Sequence, residues 1–313
     1  MSQTRSSTGI FLAFLCMVLL GTLPVLSNNR PLGSDPLVFA LLLSLWQVAV
    51  ALPVMLFERK FMTPGLFGPQ VTPAARRRTL IVLLFTGAIF GLSTYAYVLA
   101  AEKAGAVSAA IAIQAYPVFA MIWETLFLKR RKSWAELGFT LLLIAALYYL
   151  GTGGEWAIRG LSPWILVALA VPLLWSIAHV IIKEVLGVSP VTPAQVTLIR
   201  VLASTLLLGA TLFAVQGTGP VLDALSSPAL QSSAFLMGIV YYLELLVWFY
   251  AIRHIDVSVA SSVTVPWPVL TLVLAVLFLG EPVHTYQVIA LVAVAGSLYG
   301  LLAAGARKRR AAD

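Results

Sequence analysis

The sequence predicts an all-α membrane protein of ten transmembrane helices arranged as two inverted five-helix repeats. Three observations carry that prediction. Of the 313 residues, 60% are hydrophobic and 10% charged, whereas an ordinary soluble domain carries about 25% charge. The apolar residues fall in long runs, each near the about 20 residues that a bilayer-spanning helix needs. The chain also matches itself when shifted by 151 residues. So little polar surface could not cover a soluble core of this size. A soluble globular enzyme, a disordered chain and a nucleic-acid-binding module are therefore excluded.

Taken in order, the spans are read at Gly9–Ser27, Pro36–Phe57, Thr79–Ala101, Ala106–Leu128 and Ser133–Gly151 in the first half. In the second half they are read at Ser162–Glu184, Thr192–Val215, Gln231–Ile252, Val257–Leu279 and His284–Ala304. An outer-membrane barrel is excluded because runs such as Leu141–Leu150 are continuously apolar, where barrel strands alternate. The first run lacks a small-residue cleavage site and is followed by further spans, so it is expected to be a retained helix rather than a signal peptide. The single cysteine, Cys16, lies in that run and leaves no disulfide framework or cysteine metal site within one chain.

The net charge of +8 reports topology. Of the 20 Lys and Arg residues, 16 fall on the side of the N-terminus: Arg5, Arg59, Lys60, Arg76–Arg78, Lys129–Lys132, Lys183, Arg253 and Arg307–Arg310. Arg30, Lys103 and Arg159 fall on the other side, and Arg200 lies within the seventh span. Lys and Arg are retained on the cytoplasmic side, so both termini are expected in the cytoplasm, in a bacterial-type inner membrane. The lipid bilayer, not nucleic acid, is the expected partner of this basic chain.

At the 151-residue offset, "AIQAYPVFAMIWETLFLKR" falls on "VTVPWPVLTLVLAVLFLGE", so that Pro117 meets Pro268 and Leu126–Leu128 meet Leu277–Leu279. Tyr148 likewise meets Tyr299. Residues 1–151 and 152–313 thus read as two five-helix repeats forming one membrane unit. Five is odd, so the second repeat must enter the membrane the other way up, the inverted arrangement used for alternating access around a midplane site. Ten helices in two such halves, with "LFLGE" at Leu277–Glu281 ending a span that carries a mid-helix proline, resemble the drug/metabolite transporter superfamily. The EamA-type branch, with its YddG-type amino-acid and metabolite exporters, is the most similar; the first half carries "LFLKR" at Leu126–Arg130 instead. The resemblance implies an inner-membrane exporter of small metabolites with a central cavity lined mainly by spans 1, 3, 4, 6, 8 and 9.

Ionisable residues within spans are costly and rare. Glu244, mid-way along the eighth span, is a candidate for a substrate amine or a proton, since a carboxylate in hydrocarbon is protonated or paired. His179 is a second candidate for a coupling or gating step because imidazole titrates near neutrality. Arg200 either pairs with an acid or an anionic substrate or snorkels to the headgroups, and Glu124 bonds or snorkels toward Lys129–Lys132. A second constellation is aromatic and amide: Tyr95, Tyr97, Gln114, Tyr116, Trp175, Trp248 and Trp267. Tyr116 and Trp267 occupy equivalent repeat positions beside Pro117 and Pro266/Pro268, which are the expected helix breaks. Breaks at membrane depth mark binding sites, and aromatic walls suit amphipathic or cationic solutes. The alternative for each residue is packing between helices. Gly87/Gly91 and Gly296/Gly300 have a spacing that permits close intramolecular helix contact.

These features predict a secondary exporter of amino acids or related amphipathic metabolites. No GxxxxGK[ST] motif is present for direct ATP coupling, and protons are the coupling candidates. No metal or cofactor is expected: of three histidines, His254 and His284 lie near span ends. Exporters of a metal-chelating metabolite or drug-like cation fit the residues equally. A sugar-phosphate or nucleotide-sugar antiporter would need convergent cations, for which only Arg200 and Lys183 are available. A non-transporting scaffold would tolerate apolar replacement of Glu244, Tyr116 and Trp267. An intramembrane enzyme is disfavoured because Asp35, Asp223, Asp256 and Asp313 all lie in loops, ends or the tail. Monomer and homodimer both remain open.

Overall fold

The computed structural model describes residues 2–127, 133–255, 260 and 263–310. Lys129–Lys132, Asp256, the start of the ninth span at Val257 and Asp313 lie outside the described residues, as do the side chains of Arg5, Glu124, Lys183, Arg253 and Lys308–Arg310. In chain order the elements are α1 (Ser2–Asn28), α2 (Pro36–Phe61), α3 (Pro73–Ala104), α4 (Ala106–Ile113), α5 (Tyr116–Phe127) and α6 (Trp134–Gly151). They continue with α7 (Pro163–Val188), α8 (Pro193–Gln216), the short α9 (Gly219–Leu225), α10 (Pro228–His254), α11 (Trp267–Leu274) and α12 (Thr285–Arg310). A π-helical turn, Ala275–Leu279, extends α11.

Among the described residues, eight helices are long and apolar enough to cross a membrane. They correspond to spans 1–3, 5–8 and 10 of the sequence. The predicted fourth span is instead two pieces, α4 and α5, and the described part of the ninth is the short α11 with its π-turn. The described residues thus give eight long spanning helices plus shorter apolar ones in place of the fourth and ninth predicted spans.

Local sequence sets the helix starts. Asp35, Thr72, Thr192 and Ser227 each accept backbone N–H groups at the first turn, with proline next in the chain, which supplies the missing-donor position at no cost. Ser133 with Glu136, and Thr192 with Gln195, complete reciprocal capping boxes. Exteriors are apolar: Leu52, Phe57, Phe85, Leu141, Leu206 and Val292 are all exposed, as a lipid-facing surface requires.

The packing repeats between halves. α1 lies on α10 as α7 lies on α3, and α2 meets α10 as α8 meets α3. Elements α2 with α8 and α6 with α12 pair with their own counterparts, and α4 packs against α11, the counterpart of α5, as a two-fold relation between the halves produces. One apolar core joins α1, α2, α3, α8 and α10, and a second gathers around α4, α6 and α12. Close approach depends on small residues. Gly87 sits so near α8 that an added Cβ would fall 2.7 Å from the Arg200 carbonyl oxygen and 2.5 Å from Ala203, and Ser204 donates a hydrogen bond to the Gly87 carbonyl. Gly300 meets Phe139 of α6, whereas nothing lies within 4 Å of a Cβ at Gly296.

The two ends differ in chemistry. At the end bearing Arg59, Lys60 and Arg76–Arg78, Gln195 grips the α2–α3 connection through Leu66 N–H and the Pro64 carbonyl. At the opposite end, Arg30 is buried, pairs with Glu102, donates to the Ser27 carbonyl and covers the Phe39 ring. Burial pulls the Arg30 pKa below its ordinary value, while Glu102 and Asp35 act in the other direction.

Gly87→Val is expected to destabilise the α3–α8 contact by about 1–3 kcal/mol, read as earlier unfolding in detergent by intrinsic tryptophan fluorescence. Gly296→Ala is expected to leave the transition in place. Equal behaviour of the two variants would refute this account of the packing.

Candidate functional site

The site is built on two helix breaks. After α4 the chain makes a tight turn at Gln114 and Ala115, with Ala115 N–H bonding the Ala112 carbonyl and Val118 N–H bonding the Ala115 carbonyl. One repeat later the turn at Val265 and Pro266 is closed in the same way, by Val269 N–H on the Pro266 carbonyl. Pro117 and Pro268 follow at the first turn of α5 and α11, where a proline lacks no needed donor. The turns meet: Gln114 Nε2 donates to the Val265 carbonyl at 2.6 Å, across 151 residues of sequence. One side chain thus satisfies a carbonyl that a broken helix would leave bare at membrane depth.

Around this junction opens a cavity of about 340 Å³, lined by Gln114, Tyr116, Pro117, Trp175, His179, Glu244, Trp248 and Trp267 among the predicted residues. The volume is of small-molecule size. Glu244, on α10, is 6% exposed and accepts a hydrogen bond from Cys16 Sγ of α1 at 3.4 Å. Its neighbours Tyr241, Leu245 and Trp248 line the same cavity. His179 sits among three rings, 5.3 Å from Phe90, 5.8 Å from Tyr116 and 6.5 Å from Trp175, measured between centroids. Trp175 is held by its indole N–H on Ser93 Oγ at 3.0 Å. Thr271 Oγ1 bonds the Gly21 carbonyl and seats α11 against α1.

Five predicted residues lie outside the lining. Tyr97 is buried one layer behind, stacked on Trp175 and Tyr241. Tyr95 is half-buried at the edge of the core; residues two apart on a helix point to different sides, so the pair cannot share the cavity wall. Pro266 and Pro268 support the break from outside the cavity. Arg200 does not snorkel: it is 2% exposed, and its guanidinium carbon lies 3.7 Å from the centre of the Phe90 ring.

Sequence reading missed Phe90 and Tyr241. Both were findable as members of helix stripes: Phe90, Ser93, Thr94 and Tyr97 on α3, and Tyr241, Glu244, Leu245 and Trp248 on α10, each follow the i, i+3, i+4, i+7 spacing of one face. Among the described residues no group of three or more His, Cys, Asp or Glu is placed to hold a metal ion.

A further contact joins the halves at the end away from Arg76–Arg78. The glycine at 280 adopts φ 61°, turning the chain so that Glu281 accepts the backbone N–H groups of Ala106 and Val107 at 2.9 and 3.2 Å. It thereby caps α4, whose own N-cap is Gly105 (φ 84°), where a Cβ would strike the Glu281 carboxylate at 2.6 Å. A carboxylate is well placed there against the positive end of a helix.

The EamA-like transporter family model matches residues 7–152 and again residues 162–303. The chain belongs to the EamA-like transporter family. That family lies within the drug/metabolite transporter superfamily, and its members are transporters, so this protein is a multi-pass membrane transporter of small molecules. No curated protein sequence matches it. Among 27 matching chains of solved structures, one crystal structure superposes with a TM-score of 0.64 at 18% identity, covering 95% of this chain and 97% of its own. That similarity concerns the fold. In this transporter the duplicated family match and the meeting of Gln114 with Val265 describe the same two-fold relation.

Gln114→Leu removes the donor from the Val265 carbonyl and is expected to cost about 1–3 kcal/mol of stability. The check is thermal unfolding of the purified protein, and an unchanged midpoint would show that the bond does not hold the two turns together.

Proposed function

We propose that this transporter exports small amphipathic metabolites, amino acids or related compounds, across a bacterial-type inner membrane by alternating access, with both termini in the cytoplasm. The observation that carries the reading is the aromatic-walled cavity at the paired helix breaks, which Glu244 lines beside Trp248 and, from another side, Glu136 joins. A cavity at mid-bundle between two related halves can be exposed to either side by rocking one half against the other. The tryptophans at 175, 248 and 267 offer faces for apolar or cationic parts of a solute, and Glu244 offers a charge for an ammonium group. The 16 basic residues on one side of the sequence support the orientation. The two halves, 1–151 and 152–313, act as the two rocking units.

Glu244 is also the proposed proton-coupling group, with His179 beside the same cavity and Arg200 behind it as gating partners. Overexpression is expected to raise extracellular over intracellular amino-acid pools, and Glu244→Ala is expected to abolish the rise. In proteoliposomes, a pH gradient is expected to stimulate flux of the wild type but not of Glu244→Gln. Identical stimulation of both would remove Glu244 from the coupling step while leaving the cavity as the transport site.

A further inference from the structure

The cavity wall hides donors that no described residue uses. Among the described residues, Arg200 Nε and Nη1 are buried with no hydrogen-bond partner, and so is His179 Nε2. A guanidinium presents five N–H donors in a planar fork shaped for a carboxylate, and leaving them unused inside a bundle is costly. The Phe90 ring lies over Arg200, at 3.7 Å from its guanidinium carbon. A ring face attracts a cation but accepts no directed hydrogen bond of carboxylate strength. Phe90 itself lines the cavity, as do His179 and Glu244. Glu244 is served by the thiol of Cys16, a weak donor. One chamber therefore carries an acidic group with spare accepting capacity, and donors of the opposite kind lie behind the Phe90 ring of its wall.

We infer that Phe90 is a shutter over an anion subsite: when its ring turns aside, Arg200 and His179 Nε2 receive the carboxylate of a zwitterionic substrate whose ammonium group lies at Glu244. This rests on the proposed function and deepens it, because it assigns the substrate class as α-amino acids rather than amines or uncharged amphiphiles. Three helices of different origin supply the parts, Phe90 from α3, His179 from α7 and Arg200 from α8. The subsite thus forms only where the α3–α7 and α3–α8 contacts are intact.

The test is transport in proteoliposomes with radiolabelled phenylalanine and with phenethylamine, which is the same molecule without its carboxylate. The quantity read is the ratio of the two initial rates within each preparation, so that a loss of total active protein cancels. The wild type is expected to favour phenylalanine. Arg200→Gln is expected to lower the ratio by about tenfold or more, the worth of a charge-assisted hydrogen bond. Arg200→Lys, which keeps the charge without the fork, is expected to fall between. Phe90→Ala uncovers the guanidinium and is expected to raise the ratio; it carries the test if Arg200→Gln does not fold. A ratio in Arg200→Gln and Arg200→Lys equal to that of the wild type would overturn the inference and leave Arg200 as a packing residue. Wild-type transport of phenethylamine but not phenylalanine would also overturn it, with the exporter reading intact. Failure of the wild type to move either compound would remove both.

Discussion

A polypeptide that stops being helical inside a bilayer must find protein partners for the peptide groups it frees, because hydrocarbon offers none. This chain interrupts itself at Gln114–Ala115 and at Val265–Pro266, and it brings the two interruptions together so that an amide from one serves the carbonyl of the other. The remaining architecture follows from that meeting. The short helices α4 and α11 must lie side by side, the long helices must enclose them, and the residues that follow each turn, Tyr116 and Trp267, are delivered to the vicinity of one chamber. A binding space at the centre of the bundle is thus the by-product of solving a hydrogen-bonding problem twice with one sequence.

Charge is distributed with equal economy. Along the lipid-facing exteriors the large side chains are apolar, while Glu244 and His179 line the chamber and Arg200 lies behind its Phe90 wall. Glu244, His179 and Arg200 come from α10, α7 and α8; Glu244 meets the Cys16 thiol, His179 and Arg200 each meet the Phe90 ring, and among the described residues no ion pair joins the three. At the bundle end, by contrast, Arg30 and Glu102 neutralise each other directly. A paired charge holds structure, whereas an unspent one is available to a ligand.

Much of this was legible in the sequence. Span positions follow from hydropathy, and the repeat follows from Pro117 and Pro268 at one offset, because proline fixes backbone geometry and so survives as a readable mark. The cavity membership of Tyr116, Trp175, His179, Glu244, Trp248 and Trp267 followed from polar or aromatic character at membrane depth. What was not legible involves direction and distance. Tyr95 and Tyr97 look alike in the sequence, yet a helix turns them to different sides. Arg200 near a helix start reads equally as a pairing or a snorkelling cation until α3 is seen to close over it with Phe90. The break in the fourth span was marked by Pro117, but its turn falls at Gln114 and Ala115, just before that proline, where apolar composition is the same on both sides. Glu281 gave no local sign of its role, because the amides it accepts belong to Ala106 and Val107, which only folding brings near.

The carboxylate of Glu281 also breaks the equivalence of the halves. Its counterpart one repeat earlier is Arg130, a cation that a helix N-terminus would repel rather than welcome. Gln114 likewise faces a valine counterpart, Val265, whose side chain has no donor with which to return the bond. In the proposed alternating-access cycle, where two conformations would arise by exchanging the shapes of the halves, symmetric parts would weigh both conformations equally. Here the conformation with α4 capped holds interactions worth on the order of 1 kcal/mol each that its mirror arrangement cannot reproduce. Under that proposed cycle the duplicated scaffold has a resting posture, and the step out of it is uphill by an amount that the return step gives back.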